Sequence, residues 1–421
     1  MAQTLRWAVR PLPFLEDCRR RYGDAFTVRL VALGPVVFLA DPGAIREVFT
    51  GDGTARFDGG GGNRILEPVV GSRSVLILDG PEHLCHRRLL LPPFHGDRLR
   101  AYGEMAREAA ERDMAAWPVG RPFSLRARMQ AITLDVIGRA VFGAGDADRG
   151  PELRSALRAL LEVTGRSPVV AMVPALQRDL GPWSPWARFE RTRSEVDRLV
   201  HGEISRRRDE PPGADVLSLL LAARDAEGDA LTDEEIRDEL VTLLVAGHET
   251  TATALAWAFE RLLRHPEALA RLREELARGE DAYLDAVVKE TLRLRSVLTI
   301  VVRRLIEPAR LAGHALPAGT RVAPCLQLVH RSARLHPEPL AFRPERFLNG
   351  GPEPYAWIPF GGGVRRCLGA GFALLEMREV LRTVVLRARL SAARPEAERP
   401  RRRGVTITPD RDALAVLDGW A

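Results

Sequence analysis

One cysteine stands in a sequence context that could give it chemistry. Cys367 follows three consecutive glycines, Gly361 to Gly363, which permit a tight turn and a close approach of the backbone to a flat partner. A helical pattern begins directly after it, so the helix N-terminus is expected to lower the pKa of the thiol and to offer amides to the sulfur. Such a thiolate can be a nucleophile or a metal ligand, although an isolated cysteine is more often a small buried hydrophobe.

A second group of chemical residues interrupts an apolar helical stretch at Ala246–Thr251. Burying Glu249 and the Thr250 hydroxyl costs on the order of several kcal/mol unless both are paired, and Gly247 gives up about 1 kcal/mol of helix propensity. A zinc-protease pattern is excluded, because its second histidine would fall on Ala252. The remaining structural alternative is a hydroxyl bonded to the preceding turn, with the carboxylate in solvent.

Two further charged sets have helical spacing. Glu290 and Arg293 lie three residues apart, and His83 and Arg87 lie four apart, so each pair shares one helix face. Taken alone, such pairs are common on surface helices and contribute under about 1 kcal/mol.

The elements that must position these residues are mostly helical. Thr232 and Glu235 form a capping box, and the pattern after them stays helical for roughly 30 residues, which is about 45 Å. Apolar alternation over residues 25–40 and 316–329 predicts a small sheet. The glycine-rich segment 51–79 and the proline-rich segment 165–186 are predicted to be loops over a site or partly ordered. Since no repeat or linker divides the chain, we expect a mainly α fold with a small β portion, in one domain over residues 1–421.

The composition excludes several other classes of protein. The 421 residues are 46% hydrophobic and 28% charged, with a net charge of +6, which are globular proportions. No segment has the roughly 20 apolar residues that span a bilayer, and the N-terminus lacks a signal-peptide pattern, so a cytoplasmic protein without a membrane anchor is expected. The four cysteines are far apart in sequence and indicate no disulfide framework. No nucleic-acid-binding motif is present.

The ten residues from Phe360 to Gly369 match the pattern Phe-x-x-Gly-x-Arg-x-Cys-x-Gly. In this loop the chain resembles the cytochrome P-450 superfamily of heme-thiolate monooxygenases, in particular its bacterial, soluble members. The resemblance implies a prism-like single domain that binds heme b, with Cys367 as the axial ligand of the iron. It also implies that Phe360 packs near the sulfur, that Gly361 and Gly369 shape the loop around the heme, and that Arg365 meets a heme propionate.

The same resemblance assigns roles to the residues of the interrupted helix. Ala246 and Gly247 match the oxygen-binding groove on the opposite face of the heme, next to the cofactor. Glu249 is implied as the proton gate, and Thr250 as the hydroxyl that steadies the activated oxygen. An acid beside an alcohol can relay a proton through water, which agrees with these roles.

The remaining charged residues are also assigned by the resemblance. Glu290, Arg293 and Arg346 are implied to form one buried structural network that braces the cysteine loop. His83 and Arg87 match a pair that binds the propionates. Arg303 matches a third propionate partner, although the adjacent Arg304 leaves the register open.

The implied reaction inserts one oxygen atom from O2 into a lipophilic small molecule, by hydroxylation or epoxidation. Because the chain has no flavin, nicotinamide or iron–sulfur motif, ferredoxin and ferredoxin reductase are expected to donate electrons to a monomer. A peroxide-driven or rearranging heme-thiolate enzyme is one alternative, and a non-catalytic heme-binding sensor is another. The substrate pocket is expected to be lined by Leu243, Ala246, Val297, Ile300 and Val301.

Overall fold

A computed structural model describes residues 2–31, 33–52, 56–96, 98–143, 150–166, 181, 183–211 and 213–421. The helices are α1 Ala2–Val9, α2 Pro11–Tyr22, α3 Pro42–Gly51, α4 Gly60–Asn63, α5 Glu67–Val70, α6 Gly80–Leu90, α7 Arg98–Met114, α8 Leu125–Phe142, α9 Gly150–Arg166, α10 Pro185–Arg208, α11 Val216–Ala222, α12 Asp233–Arg264, α13 Pro266–Ala277, α14 Ala282–Leu294, α15 Leu326–His330 and α16 Ala370–Arg387. The strands are β1 Ala25–Leu30, β2 Gly34–Leu39, β3 Phe57–Asp58, β4 Pro122–Ser124, β5 Arg303–Leu305, β6 Ala309–Leu311, β7 His314–Leu316, β8 Arg321–Pro324, β9 Ala388–Ala392, β10 Pro400–Arg403, β11 Thr406–Pro409 and β12 Leu414–Trp420. The predicted mainly α fold with a small β portion is confirmed.

The long helix α12 is the axis around which the helical core packs. Its predicted capping box is present: the Thr232 hydroxyl accepts from the Glu235 amide, and the Glu235 carboxylate accepts from the Thr232 amide. The helix then runs for 32 residues and contacts α8, α10, α14 and α16. Most of its side chains are buried, so residues in the middle of α12 face protein on several sides.

The predicted strands near residues 25–40 are present as an antiparallel pair, β1 and β2. They belong to a five-stranded sheet of order β1-β2-β8-β5-β3, in which β2 and β8 run parallel. The second predicted stretch, 316–329, is correct only as far as β8, because Leu326–His330 is helical. The Val329 amide donates to the Cys325 carbonyl at 3.2 Å, so a helical turn satisfies the backbone after the strand ends.

The prediction of a loop over residues 51–79 is wrong for most of the described part. This segment holds β3, α4 and α5, and the glycine run 59–62 forms a helical turn. The Asp79 carboxylate accepts from the amides of Gly59 and Gly60, both at 2.9 Å. A Cβ on Gly60 would meet the Ile77 carbonyl, so the run packs closely against another segment.

The second predicted loop lies largely outside the described residues. Of the segment 165–186, residues 167–180 and 182 are not described, and Pro185 and Trp186 begin helix α10. Within the described chain, no helix is both long enough and apolar enough to cross a bilayer.

Candidate active site

The cysteine loop is held between an aromatic core residue and the start of α16. The helix begins at Ala370 with Gly369 as its N-cap, so Cys367 lies before the first turn and not inside it. The Cys367 amide donates to the Phe360 carbonyl at 3.0 Å, which closes the loop on itself. Gly363 has φ = +69°, and a Cβ there would meet the backbone of Phe49. The loop therefore requires glycine both for its conformation and for its packing.

The expected lowering of the Cys367 pKa is not observed. Burial raises the pKa of this thiol, while the Gly369 backbone and the guanidinium groups of Arg87 and Arg366 oppose the rise. Desolvation of the thiolate thus outweighs the nearby donors and cations. The side chain of Cys367 is nevertheless accessible at its own surface. A thiol that is surrounded by protein and still accessible faces an internal space.

The predicted cationic residues converge on His83. Burial, together with the positive charges of Arg365, Arg87 and Arg303, lowers the pKa of His83 to about 3. These four residues come from α6, β5 and the cysteine loop. Arg87 also interacts electrostatically with Cys367, so the cationic cluster lies beside the thiol. Among the described residues Arg87 has no ion-pair partner.

The register left open between Arg303 and Arg304 is resolved by burial. Arg303 is 4% exposed and forms a bidentate ion pair with Asp52, with both N–O distances 2.7 Å. Arg304 is exposed and pairs with Asp58. Arg303 is therefore the one that joins the cluster around His83. Arg365 is half-buried and donates to the Leu78 carbonyl and to the Asp79 carboxylate.

Helix α12 presents the predicted acid and alcohol at adjacent positions. The Thr250 hydroxyl donates to the Ala246 carbonyl at 2.6 Å, which is the back-bonded arrangement weighed above as the structural alternative. The Glu249 carboxylate does not point to free solvent, because Arg126 and Gln130 each donate to it at 2.6 Å. Ala246 is exposed in the middle of this interior helix, so the helix borders an open space there.

Helix α16 carries a buried acid against the same part of α12. The Glu376 carboxyl is fully buried near the Thr251 hydroxyl, without a hydrogen bond of good geometry among the described residues. Burial raises the pKa of Glu376 well above its usual value. Gly247 leaves room for Ile137 of α8, whose side chain would lie 3.2 Å from a Cβ there. Helix α16, which follows the cysteine loop, thus packs against α12 beside the Glu249–Thr250 pair.

The three residues of the predicted structural network are brought together. Arg293 donates to both carboxylate oxygens of Glu290, at 2.6 and 2.8 Å, and both side chains are fully buried. Arg346 donates to Glu290 at 3.1 Å. Arg293 also donates to the carbonyls of His330 and Pro339, at 2.6 and 2.9 Å. The network therefore ties α14 to the two segments that precede the cysteine loop.

The expected pocket residues lie on α12 and on the segment between α14 and β5. Leu243 is buried on α12, three residues before the exposed Ala246. The Val297 carbonyl accepts from the Ile407 amide at 2.8 Å, while Ile300 and Val301 are half-buried. Val301 also lies close to the cysteine loop, since its Cγ1 would be 3.9 Å from a Cβ on Gly361.

Four partners of the site were not predicted from the sequence. Arg126 and Gln130 hold Glu249, while Asp52 and Asp79 pair with Arg303 and Arg365. Asp52 and Asp79 lie inside the glycine-rich segment 51–79, for which the sequence predicts a loop. The sequence feature that points to such a partner is Asp79, an acidic residue at the end of the glycine-rich segment.

The residues present fit the heme that the loop motif implies. An accessible thiol is beside an unpaired arginine and three other basic side chains, which suits an iron ligand next to two propionate carboxylates. The glycines of the loop allow close approach of its backbone, and the exposed Ala246 offers a small side chain on the facing helix. The donor set of one thiolate and several cations, with no second metal-ligand cluster among the described residues, matches heme better than a bare metal ion.

Comparison with known proteins agrees with this assignment. The family model for cytochrome P450 matches residues 8–416. Cytochrome P450 135B1 of Mycobacterium tuberculosis is 43% identical over 411 residues, covering 96% of this chain and 86% of its own. Cytochrome P450 138 of the same organism is 40% identical over 402 residues, covering 94% and 90%.

Solved structures show the same fold. A cyanobacterial P450 with retinoic acid bound, CYP120A1, superimposes with a TM-score of 0.86 at 25% identity, covering 100% of this chain and 96% of its own. The heme domain of cytochrome P450DA gives a TM-score of 0.82 at 24% identity, covering 96% and 92%. Cytochrome P450 proteins bind heme b and are in general heme-thiolate monooxygenases. From its sequence and from its fold, this chain belongs to the cytochrome P450 family.

Proposed function

We propose that this protein inserts one oxygen atom from O2 into a C–H or C=C bond of a lipophilic small molecule. The observation that carries the proposal is the packing of α16, the helix that follows the cysteine loop, against α12 beside the Glu249–Thr250 pair. This packing supports an iron ligand in the loop that leads into α16 and a proton-handling pair on α12. Activation of O2 by a bound heme would need both a thiolate ligand and side chains that deliver a proton.

Four basic residues and one thiolate would hold the cofactor. Cys367 would bind the iron, and Arg87 would meet a propionate, since it has no ion-pair partner among the described residues. His83, Arg303 and Arg365 would complete the propionate site around it. When bound, heme supplies the activation of O2, for which electron donation by the thiolate favours cleavage of the O–O bond.

Proton delivery would require two side chains to leave their present partners. The Thr250 hydroxyl now donates to the Ala246 carbonyl, so it must rotate before it can donate toward the active site. The Glu249 carboxylate now accepts from Arg126 and Gln130, so it must be released to carry a proton inward. We propose that Arg126 holds Glu249 ready between turnovers and that Thr250 passes the proton on.

The expected pocket residues support a lipophilic substrate. Leu243, Val297, Ile300 and Val301 are all aliphatic, and apolar walls select apolar ligands. The structural neighbour CYP120A1 has retinoic acid bound, and retinoic acid is a lipophilic small molecule. A substrate that displaces water from the iron should shift its spin state, so absorption titrations with a library of terpenoids, steroids and fatty acids can rank candidates.

Electrons would come from ferredoxin and ferredoxin reductase. Arg366 is exposed in the cysteine loop, and it acts on the thiol together with Arg87. An exposed cation beside the iron ligand suits an acidic electron donor. Replacing Arg366 with Gln should slow reduction by ferredoxin at low salt, whereas Arg198→Gln on α10 should have no effect. Equal rates for both variants would exclude docking at this loop.

Turnover with a surrogate ferredoxin system tests the proposed reaction. Product should contain one oxygen atom derived from ¹⁸O2 for each substrate molecule oxidised. Persistent inactivity with every substrate that shifts the spin state would favour a heme-binding sensor. Efficient turnover with hydrogen peroxide alone, and none with O2 and ferredoxin, would favour the peroxide-driven alternative, for which the Glu249–Thr250 pair would be unnecessary.

A further inference from the structure

A separate cleft opens between α7, α8 and the C-terminal end of α10. Its volume is about 490 Å³, and its lining includes Tyr102, Arg139 and Asp215. None of the residues assigned above to the heme, to oxygen activation or to the substrate pocket lines it. The volume is in the range of small-molecule sites, which is roughly 300 to 1,000 Å³.

The cleft is lined by hydrogen-bond donors that have no partner. Tyr102 Oη and Arg139 Nη1 are both buried without a hydrogen bond among the described residues. Arg98 lines the same cleft, acts electrostatically on Tyr102 and forms no ion pair in the described chain. Burial raises the pKa of Tyr102, so its phenol stays protonated as a donor. Buried donors are rarely left unpaired in native proteins, so Tyr102 Oη and Arg139 Nη1 suggest a missing acceptor. Arg98 adds an unpaired, half-buried cation to the same cleft.

The acceptors that border the cleft are already engaged. Asp215 accepts from the Ser218 amide at 2.9 Å, from the Ser218 hydroxyl at 3.1 Å, and from Arg207. Glu210 pairs with Arg206. No carboxylate on the lining is therefore free to satisfy Tyr102 Oη or Arg139 Nη1. Arg139 pairs through Nη2 with Glu108, outside the lining, at 2.9 Å, whereas Arg98 remains as a lining cation without an ion pair in the described chain.

Apolar side chains form the rest of the lining. Ala101, Met105, Ala140 and Phe142 contribute to it, and the Tyr102 ring is fixed edge-on against Phe372 with 5.2 Å between ring centroids. A ligand that fits must therefore combine an anionic head with an apolar body. A guanidinium group suits a carboxylate in particular, because its parallel N–H groups match the two oxygens.

We propose that this cleft is a second binding site, distinct from the heme site, for a small organic carboxylate with an apolar body. The carboxylate accepts from Arg98, from Arg139 Nη1 and from the Tyr102 hydroxyl. The apolar body lies against Met105, Ala140 and Phe142. Binding links the start of α7 to the ends of α8 and α10, so the occupied site stabilises the folded protein by mass action.

The test uses the heme-loaded protein and 4-phenylbutyrate as the probe, with 4-phenylbutan-1-ol as its uncharged counterpart. Calorimetric titration should show binding of the acid and much weaker binding of the alcohol. The Soret spectrum should stay unchanged through the titration, because none of the residues assigned to the heme lines the cleft. The midpoint of thermal unfolding should rise with the acid concentration.

Two variants and one control assign the binding to the cleft. Tyr102→Phe should weaken binding roughly tenfold, because the complex loses one hydrogen bond to a charged group. The free energy of unfolding should not fall, since the Tyr102 hydroxyl has no hydrogen-bond partner to lose. Arg98→Gln should weaken binding about tenfold as well. Arg107→Gln is the matched control, since Arg107 lies on the same helix and pairs with Glu111. This variant should bind 4-phenylbutyrate with the affinity of the wild type.

Three results would overturn the proposal. The first is the absence of measurable binding of 4-phenylbutyrate. The second is binding that neither Tyr102→Phe nor Arg98→Gln weakens. The third is a Soret shift that tracks the binding isotherm, which would place the probe in the heme pocket instead.

Discussion

The Glu249 carboxylate of helix α12 is bound by Arg126 of helix α8, with 2.6 Å between Oε1 and Nη2. Arg126 also contacts Asp412 at 3.4 Å, and Asp412 pairs with Arg403 at 2.8 Å. A charged chain thus runs from the middle of α12 to the C-terminal strands. If Glu249 is the proton gate, its release from Arg126 is a step that solvent and pH can influence.

Replacing Arg126 with Gln should therefore change proton delivery without removing the acid. The carboxylate loses its cation and keeps only uncharged donors, Gln130 and, at 3.4 Å, the Thr253 hydroxyl. We therefore expect a changed pH profile of coupled product formation and a changed solvent isotope effect. Arg128→Gln, on the same helix, is the control and should match the wild type. Identical pH profiles for Arg126→Gln and the wild type would show that Arg126 is only a structural partner.

Thr250→Ala should uncouple electron transfer from product formation. Without the hydroxyl, the proton reaches the oxygen less selectively, so electrons are diverted to hydrogen peroxide while heme and substrate binding are kept. The measurement is the ratio of product to peroxide for each NADPH consumed by the reductase. Thr192→Ala removes a similar back-bonded hydroxyl, which donates to the Arg188 carbonyl at 3.0 Å, and should leave that ratio unchanged. Unaltered coupling in Thr250→Ala would remove Thr250 from the mechanism.

Arg293→Ala should lower stability strongly. The change leaves the fully buried Glu290 carboxylate without its bidentate partner, which costs about 3 to 5 kcal/mol in the free energy of unfolding. Urea denaturation of the heme-loaded protein measures the loss. Arg278→Ala removes an exposed arginine paired with Glu274 and should produce no measurable change. A small effect of Arg293→Ala would mean that the network does not brace the fold.

His248 should make stability depend on pH on the acidic side. Burial lowers the pKa of His248 to about 4. The Nδ1 atom of its ring shares a hydrogen bond of 3.0 Å with the Thr133 hydroxyl. Because the unfolded chain binds this proton at a higher pH than the folded chain, stability is complete above about pH 6.5 and falls as pH decreases toward 4. The loss should reach about 3 kcal/mol.

His248→Gln provides the comparison for that pH dependence. Its stability should decline less than that of the wild type between pH 6.5 and 4, as measured by urea denaturation at several pH values. Parallel curves for the two proteins would contradict a lowered pKa at His248.

Contiguous motifs made much of this molecule predictable. The capping box of α12, the loop around Cys367 and the Glu290–Arg293 spacing each depend on residues close together in sequence. By contrast, Arg126 lies 123 residues from Glu249, and a helical sequence does not state which arginine will face it. The structure of the glycine run does not follow from its local sequence, because its order comes from Asp79, about 20 residues away.

The pKa of Cys367 shows a different limit. The sequence displays the helix start and nearby arginines, which lower a thiol pKa, but not the depth at which the loop is buried. Desolvation is a property of the assembled fold, and here it is the larger effect. The same depth suits an iron ligand, because the metal provides the positive charge that a buried thiolate needs.

Absorption of the reduced carbon monoxide complex tests the central claim most directly. If Cys367 is the axial ligand, the Soret band should show the strong red shift of thiolate ligation. Cys85→Ser, a change on the helix that carries His83 and Arg87, should keep that band, whereas Cys367→Ser should lose it. A histidine-type Soret band in the wild-type protein, or a red-shifted band that survives in Cys367→Ser, would contradict the assignment of Cys367.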